Sequence, residues 1–226
     1  MEFFRQTLVI AKKDLRAELR TKEAINAALA FSLVILVLFS FAFDPGEKET
    51  VEMSGGLLWI VFAFAGALVL NRSFAREVPN DCLDALVAAP IPGSALFLGK
   101  ATANFLLVIS VELVSLPVFG IFYNVHWTGH IWSLLFVLAL GTWGLTVIGT
   151  TLSALTVNVR LRELMTPVLV YPLMLPALMS AMVLTMQLVG GKPLGGENII
   201  WLRLLVVFDV IFTALSLVLL ETVLVG

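Results

Sequence analysis

Six long apolar runs constrain this chain more than anything else in it. They cover residues 24–43, 55–71, 101–123, 131–157, 164–189 and 201–225. A helix needs about 20 apolar residues to cross the hydrocarbon core of a bilayer, and in lipid every backbone polar group must be bonded within the protein. Runs of this length fit helices, whereas a membrane barrel shows ~10-residue segments of alternating polarity, which are absent here. The second run is short and borrows flanking residues. The expected fold class is therefore an all-α integral membrane protein of six transmembrane helices, forming one domain over residues 1–226.

The spans use up most of the 226 residues and leave no room for a globular head. Sixty per cent of the chain is hydrophobic and 13% charged, far from the balance of a soluble domain. The net charge of −2 gives no case for a nucleic-acid partner. The single cysteine, Cys82, excludes an internal disulfide.

Lys and Arg set the orientation. Eleven of the fourteen fall in the N-terminal arm, the 71–100 loop and the loop at Arg160 and Arg162; Lys48, Lys192 and Arg203 are the rest. These segments share one side of a six-span chain, so both termini are expected in the cytoplasm. The first run is expected to stay in the mature chain. It is longer than the apolar stretch of a signal peptide and has no small-x-small site after it.

Residues 2–23 read as an amphipathic helix lying on the membrane. Phe4, Leu8, Ala11, Leu15 and Leu19 share one face, and Lys12, Lys13, Arg16 and Arg20 lie off it. The 71–100 loop is too small for a domain and too long for a turn. Within it, Asn80 or Asp81 caps a short helix, with acidic groups at the positive end of the helix dipole. Leu83, Leu86 and Val87 form an i, i+3, i+4 patch, and Pro90, Pro92 and Gly93 end the helix. Such a patch takes either a partner groove or the headgroups and bundle of its own molecule. Cys82 is expected as a small buried contact of this helix.

Two other spans carry marks of their own. Pro167, Pro172 and Pro176 are expected to kink or break the fifth. Gly141, Gly144, Gly149 and Ser153 are expected to let the fourth pack closely.

No enzymatic constellation stands up. Gly93, Gly99 and Lys100 imitate a phosphate loop, but five residues separate the glycines where four are needed, and Ala101 replaces Ser or Thr. The run ending at Asp209 imitates a magnesium-binding strand, but lies mid-membrane. The chain itself is therefore not expected to hydrolyse nucleotide. Two acidic residues lie well inside spans, Glu112 and Asp209, while Glu221 sits near the cytoplasmic end of the sixth and is expected to snorkel. Charge in the membrane is costly, so Glu112 and Asp209 are each either functional, held by a Ser, Thr or Asn of a neighbouring helix, or protonated in place. His126 and His130 stand at i, i+4. That spacing suits metal or haem ligation on a helix, and the flanking Trp127 and Trp132 suit an interfacial belt equally.

Several ordered segments resemble the CcmB family, the membrane subunit of the ABC-type complex for cytochrome c maturation, often called haem exporter protein B. They are Leu38-Phe39 with Phe41 and Pro45, Gly56-Leu57-Leu58-Trp59-Ile60, Arg72 with Phe74, Leu83-Asp84 with Leu86, Pro90-Ile91-Pro92, Lys100, Ala154-Leu155-Thr156-Val157 with Arg160, and Pro172-Leu173 with Pro176. Together they run through about residues 5–180. Two places depart from the family pattern. Asn80-Asp81 stands where an Asp/Asn-Gly pair is usual, and Arg160-Leu161-Arg162-Glu163 stands where Arg-Arg-Gly is common.

The resemblance implies an ABC-2 exporter-like permease in the bacterial inner membrane. Residues 80–89 would be its coupling helix and residues 2–23 its elbow helix. Glu77, Asn80, Asp81, Leu83, Asp84, Leu86 and Val87 would couple it to a dimeric ATPase subunit that binds the ATP. A second copy, or another membrane subunit, would complete the complex beside lipid. Haem would be cargo rather than a resident cofactor, with no bound metal. An ABC-2 permease for lipid or polysaccharide, and an ATPase-independent transporter or scaffold using Glu112 and Asp209, are the rival readings. The second rival is disfavoured because no internal repeat is visible.

Overall fold

The computed structural model describes residues 2–43, 48–77, 82, 89–124, 127–157 and 162–225. Seven α-helices occur among them: α1 (Glu2–Thr21), α2 (Glu23–Ser40), α3 (Lys48–Leu70), α4 (Gly93–Phe122), α5 (Ile131–Thr156), α6 (Arg162–Val189) and α7 (Ile199–Val225). The described residues contain no strand. Helices α2–α7 are each long and apolar enough to cross a membrane, and the chain is a multi-pass membrane protein.

The helices outrun the apolar runs at their polar ends. Helix α3 begins at Lys48, so charged residues form its first turns. Helix α4 begins at Gly93, eight residues before its apolar run. Pro92 sits just ahead of it, where a missing N–H costs nothing, and its carbonyl accepts the amides of Ala95 and Leu96. At 30 residues, α4 extends about 45 Å, well beyond a hydrocarbon core of ~30 Å. Gly93 packs on the far end of α7; a Cβ there would lie 2.7 Å from the Leu220 carbonyl oxygen.

Helix α6 is continuous through Pro167, Pro172 and Pro176, contrary to the expected break. The Ser180 hydroxyl donates to the Pro176 carbonyl at 2.8 Å, and α6 packs against α3, α5 and α7. Neighbouring helices and the Ser180 hydroxyl surround the backbone where three donors are lost, and the helix runs on unbroken.

Helix α5 packs against α3, α4, α6 and α7. Its glycines are the contact points. Trp59 of α3 lies on Gly141, where a Cβ would meet its ring at 2.1 Å, and Leu70 lies on Gly149. The Trp59 indole N–H donates to Thr185 Oγ1 of α6 at 2.9 Å, so one fully buried side chain joins three helices. Cross-helix bonds are made by uncharged groups at two further levels. Trp143 donates to Thr213 at 3.1 Å, and Thr151 to Ser216 at 2.7 Å. Close backbones and short polar bonds replace the hydrophobic drive that lipid removes.

Candidate functional site

The described residues assemble their charges at one end of the bundle, where α1, the turn after α3 and the start of α4 meet. Helix α1 carries three faces. Ile10, Ala11 and Glu18 are buried, with Ile10 seated on Gly99 of α4. About a quarter-turn away, Phe4, Leu8 and Leu19 are exposed. Arg5, Lys12, Arg16 and Arg20 are exposed on the remainder. The apolar stripe read from the sequence is thus divided: Ala11 and Leu15 pack on the bundle beside a face that carries acid groups, and Phe4, Leu8 and Leu19 stay exposed.

Lys100 is the centre of the cluster. Its side chain is 1% exposed. The ammonium lies 3.1 Å from Asp14 Oδ2 of α1 and 3.0 Å from Glu77 Oε1. It donates to the Ser73 carbonyl at 2.9 Å and stands over the Phe74 ring. Lys13 pairs with the same Glu77 oxygen and with Asp14 at 3.2 Å. Partial burial alone would lower the Lys13 pKa, but Glu77 and Asp14 outweigh it and hold the ammonium above its ordinary 10.5.

Glu18 is the second centre. Oε1 accepts the backbone amides of Ala24 at 2.8 Å and Ile25 at 3.0 Å, the first free donors of α2. Oε2 pairs with Arg76. Burial works to raise the Glu18 pKa, but these donors and the guanidinium bring it below its ordinary 4.5. The carboxylate spans the joint between α1 and α2, where Lys22 alone takes a left-handed conformation, φ 56°. Arg72 and Glu23 add an exposed pair at 2.5 Å. Asn104, one turn beyond Lys100, donates to Ser73 Oγ and to Thr150 Oγ1 of α5, both at 2.9 Å. The cluster lines a cavity of about 530 Å³ bounded by Ala17, Val69, Cys82 and Ala89 as well. Cys82 is exposed, not the buried contact expected, because it faces this cavity.

The intramembrane acids sit on opposite sides of α5. Glu112 is fully buried, with Thr142 Oγ1 2.7 Å from both carboxyl oxygens. Asp209 packs against Gly144, where a Cβ would lie 2.6 Å from Oδ1. Neither Asp209 oxygen has a hydrogen-bond partner among the described residues. The two acids therefore form no pair through a shared base.

Of the other candidate residues, Glu77 lies in the charged cluster, whereas Asn80, Asp81, Leu83, Asp84, Leu86, Val87 and His126 lie outside the described residues. His130 Nε2 stands 3.3 Å from the Gly191 carbonyl oxygen, linking two loops at the other end of the bundle. No group of three or more metal-ligating side chains occurs among the described residues. Sequence reasoning missed Lys13, Asp14, Glu18, Arg76 and Lys100 as a unit. One signal was available: Asp14 and Glu18 stand four apart among the basic residues in the middle of the arm.

The family model for CcmB protein matches residues 5–220. The chain belongs to the CcmB family. Curated CcmB-type relatives named "Heme exporter protein B" agree along most of their length. That of Rhodobacter capsulatus is 32% identical over 169 residues, 75% of this chain and 77% of the relative. That of Paracoccus denitrificans is 32% identical over 74% of this chain and 76% of its own. That of Pseudomonas aeruginosa is 25% identical over 92% and 93%. CcmB membership thus extends through α7, where motif resemblance had ended near residue 180.

Proposed function

We propose that this CcmB-family chain is the permease subunit of an ABC transporter for c-type cytochrome biogenesis, acting in haem export or release of a haem-loaded chaperone. The match to the CcmB model over residues 5–220 carries this reading. A separate ATPase subunit drives it, since the chain offers bundle and charge cluster but no nucleotide motif. The N-terminal arm and the 71–100 loop face the cytoplasm of the inner membrane, following the asymmetry of Lys and Arg. Residues 80–89 form the coupling helix, and Glu77 ties its root to α1 and α4. The exposed apolar and basic faces of α1 suit the headgroup region.

The test is co-purification with a co-expressed ABC-type ATPase subunit. Deleting residues 82–88 abolishes the association while the chain still inserts. Stoichiometric ATPase on the deleted chain overturns the coupling assignment. Intact c-type cytochromes in a null strain overturn the cargo and favour lipid or polysaccharide export.

A further inference from the structure

Four segments meet in the charge cluster, and each centre reaches at least three of them. Lys100 starts from α4 and takes Asp14 from α1, and Glu77 and the Ser73 carbonyl from the turn after α3. Glu18 starts from α1 and takes the first amides of α2 with one oxygen and Arg76 of the turn with the other. Stability alone is a poor reason for this arrangement. Removing a lysine side chain from water costs so much that a buried ion pair is commonly no better than well-packed apolar groups. What such a network supplies is a defined geometry, because each member satisfies the next and a shifted register leaves a charge unpaired. The location points the same way: the network spans the one left-handed joint between α1 and α2 and the root of the 71–100 loop.

We propose that Lys100 and Glu18 are positioning residues that lock the N-terminal arm, the root of the 71–100 loop and the start of α4 into one body. Displacement of the loop is then passed to the α1–α2 joint instead of being absorbed by the turn at residues 71–77. The coupling part of this inference rests on the ATPase-driven reading above; the locking part does not. Lys100 holds the loop to the arm, and Glu18 transfers the motion of that body to the first amides of α2. Two consequences separate the residues. Lys100→Met removes the one group that ties the loop root, α1 and α4 together, leaving the separate Lys13–Glu77, Glu18–Arg76 and Asn104–Ser73 contacts, whereas Glu18→Gln leaves the Lys100 contacts intact and loosens the joint together with the Arg76 tie.

The experiment has two arms. In the first, the full chain carrying Cys82→Ser is spin-labelled at Ala17→Cys and Ala75→Cys in lipid nanodiscs. The distance distribution between α1 and the turn is then measured by pulsed electron resonance. A narrow distribution that broadens with Lys100→Met and is restored by Lys100→Arg is expected. A distribution already broad before Lys100 is changed, or one unmoved by Lys100→Met, overturns the lock. In the second arm the same Lys100 variants are co-expressed with the ATPase and scored for bound ATPase, ATP hydrolysis and holo-cytochrome yield. ATPase association and hydrolysis persist, while cytochrome yield per ATP falls about tenfold, the population change set by a coupling loss of ~1.4 kcal/mol. Undiminished yield per ATP from Lys100→Met overturns the transmission role. Absence of the ATPase from the unsubstituted chain, with the first arm behaving as expected, overturns the proposed function and leaves the lock standing.

Discussion

Gly141→Ala tests the idea that glycine seats, rather than apolar burial, set the spacing of this bundle. The added methyl would lie 2.1 Å from the Trp59 ring and within 2.8 Å of two more ring atoms. The ring is fully buried, and its N–H is committed to Thr185, so it has no space to retreat into. Forcing it aside costs ~1–3 kcal/mol as overpacking. Loss of the indole bond costs about 1 kcal/mol more. Replacing a mid-helix glycine returns roughly 1 kcal/mol of helix propensity. The net destabilisation is therefore about 1–3 kcal/mol, or a fall in Tm of ~2–12 °C for a chain of this size. Thermal unfolding of the purified protein in one fixed detergent, followed by intrinsic fluorescence, measures it. Gly56→Ala in α3 is the control, since a Cβ there meets nothing within 4 Å, and its Tm stays level or rises. Trp59→Phe combined with Gly141→Ala gives the decisive comparison. The smaller ring relieves the clash, so the double variant is less destabilised than the two single losses added together. Strict additivity, or a Gly141→Ala protein as stable as the Gly56→Ala control, would refute the reasoning.

Two further predictions concern the polar groups. Thr142→Val removes the hydroxyl bonded to buried Glu112 and destabilises the bundle by ~1–3 kcal/mol, whereas Thr142→Ser stays near the parent; thermal unfolding of both checks this. Glu18 has a folded-state pKa below its ordinary 4.5, so it contributes stability that is present above pH 4.5 and is lost as pH falls further. Glu18→Gln therefore narrows its stability gap to the parent as pH is lowered from 7 through 4.5 and below, measured as Tm against pH; a gap that stays constant down that range counts against the assignment.

The spans were legible because bilayer thickness imposes a length that any helical crossing must meet, whatever its partners. The small-residue seats on α5 were legible too, since Gly141, Gly144 and Gly149 have no other purpose in an apolar helix. Helix ends were less so. Pro90, Pro92, Gly93 and Gly99 read as loop up to residue 100, yet α4 starts immediately after Pro92, because Gly99 and Gly93 are needed where Ile10 and the Leu220 carbonyl press on the backbone. The three prolines of α6 leave the helix unbroken for a related reason: the cost of a missing donor depends on what surrounds the helix, and the sequence of α6 alone does not contain its neighbours.

Charges were the hardest to read, and the reason is physical. A lysine beside a membrane span is counted as a topological signal because most such lysines are solvated, and the local sequence of Lys100 is no different. Its partners, Asp14 and Glu77, are 86 and 23 positions away, so nothing periodic in the chain connects them. The consequence is a division of labour along the bundle. Around α5, hydroxyls, amides and indole N–H groups tie helices with short neutral bonds that a bilayer tolerates, and Glu112 joins them through Thr142. At the basic end, formal charges tie α1, the turn after α3 and α4 across a cavity. Neutral ties between close-packed helices resist sliding, while the charged end meets the single left-handed residue of the α1–α2 joint. Under the proposed lock, movement of the 71–100 loop is passed to that joint, and the ion pairs decide whether it reaches α2 or is lost in the turn.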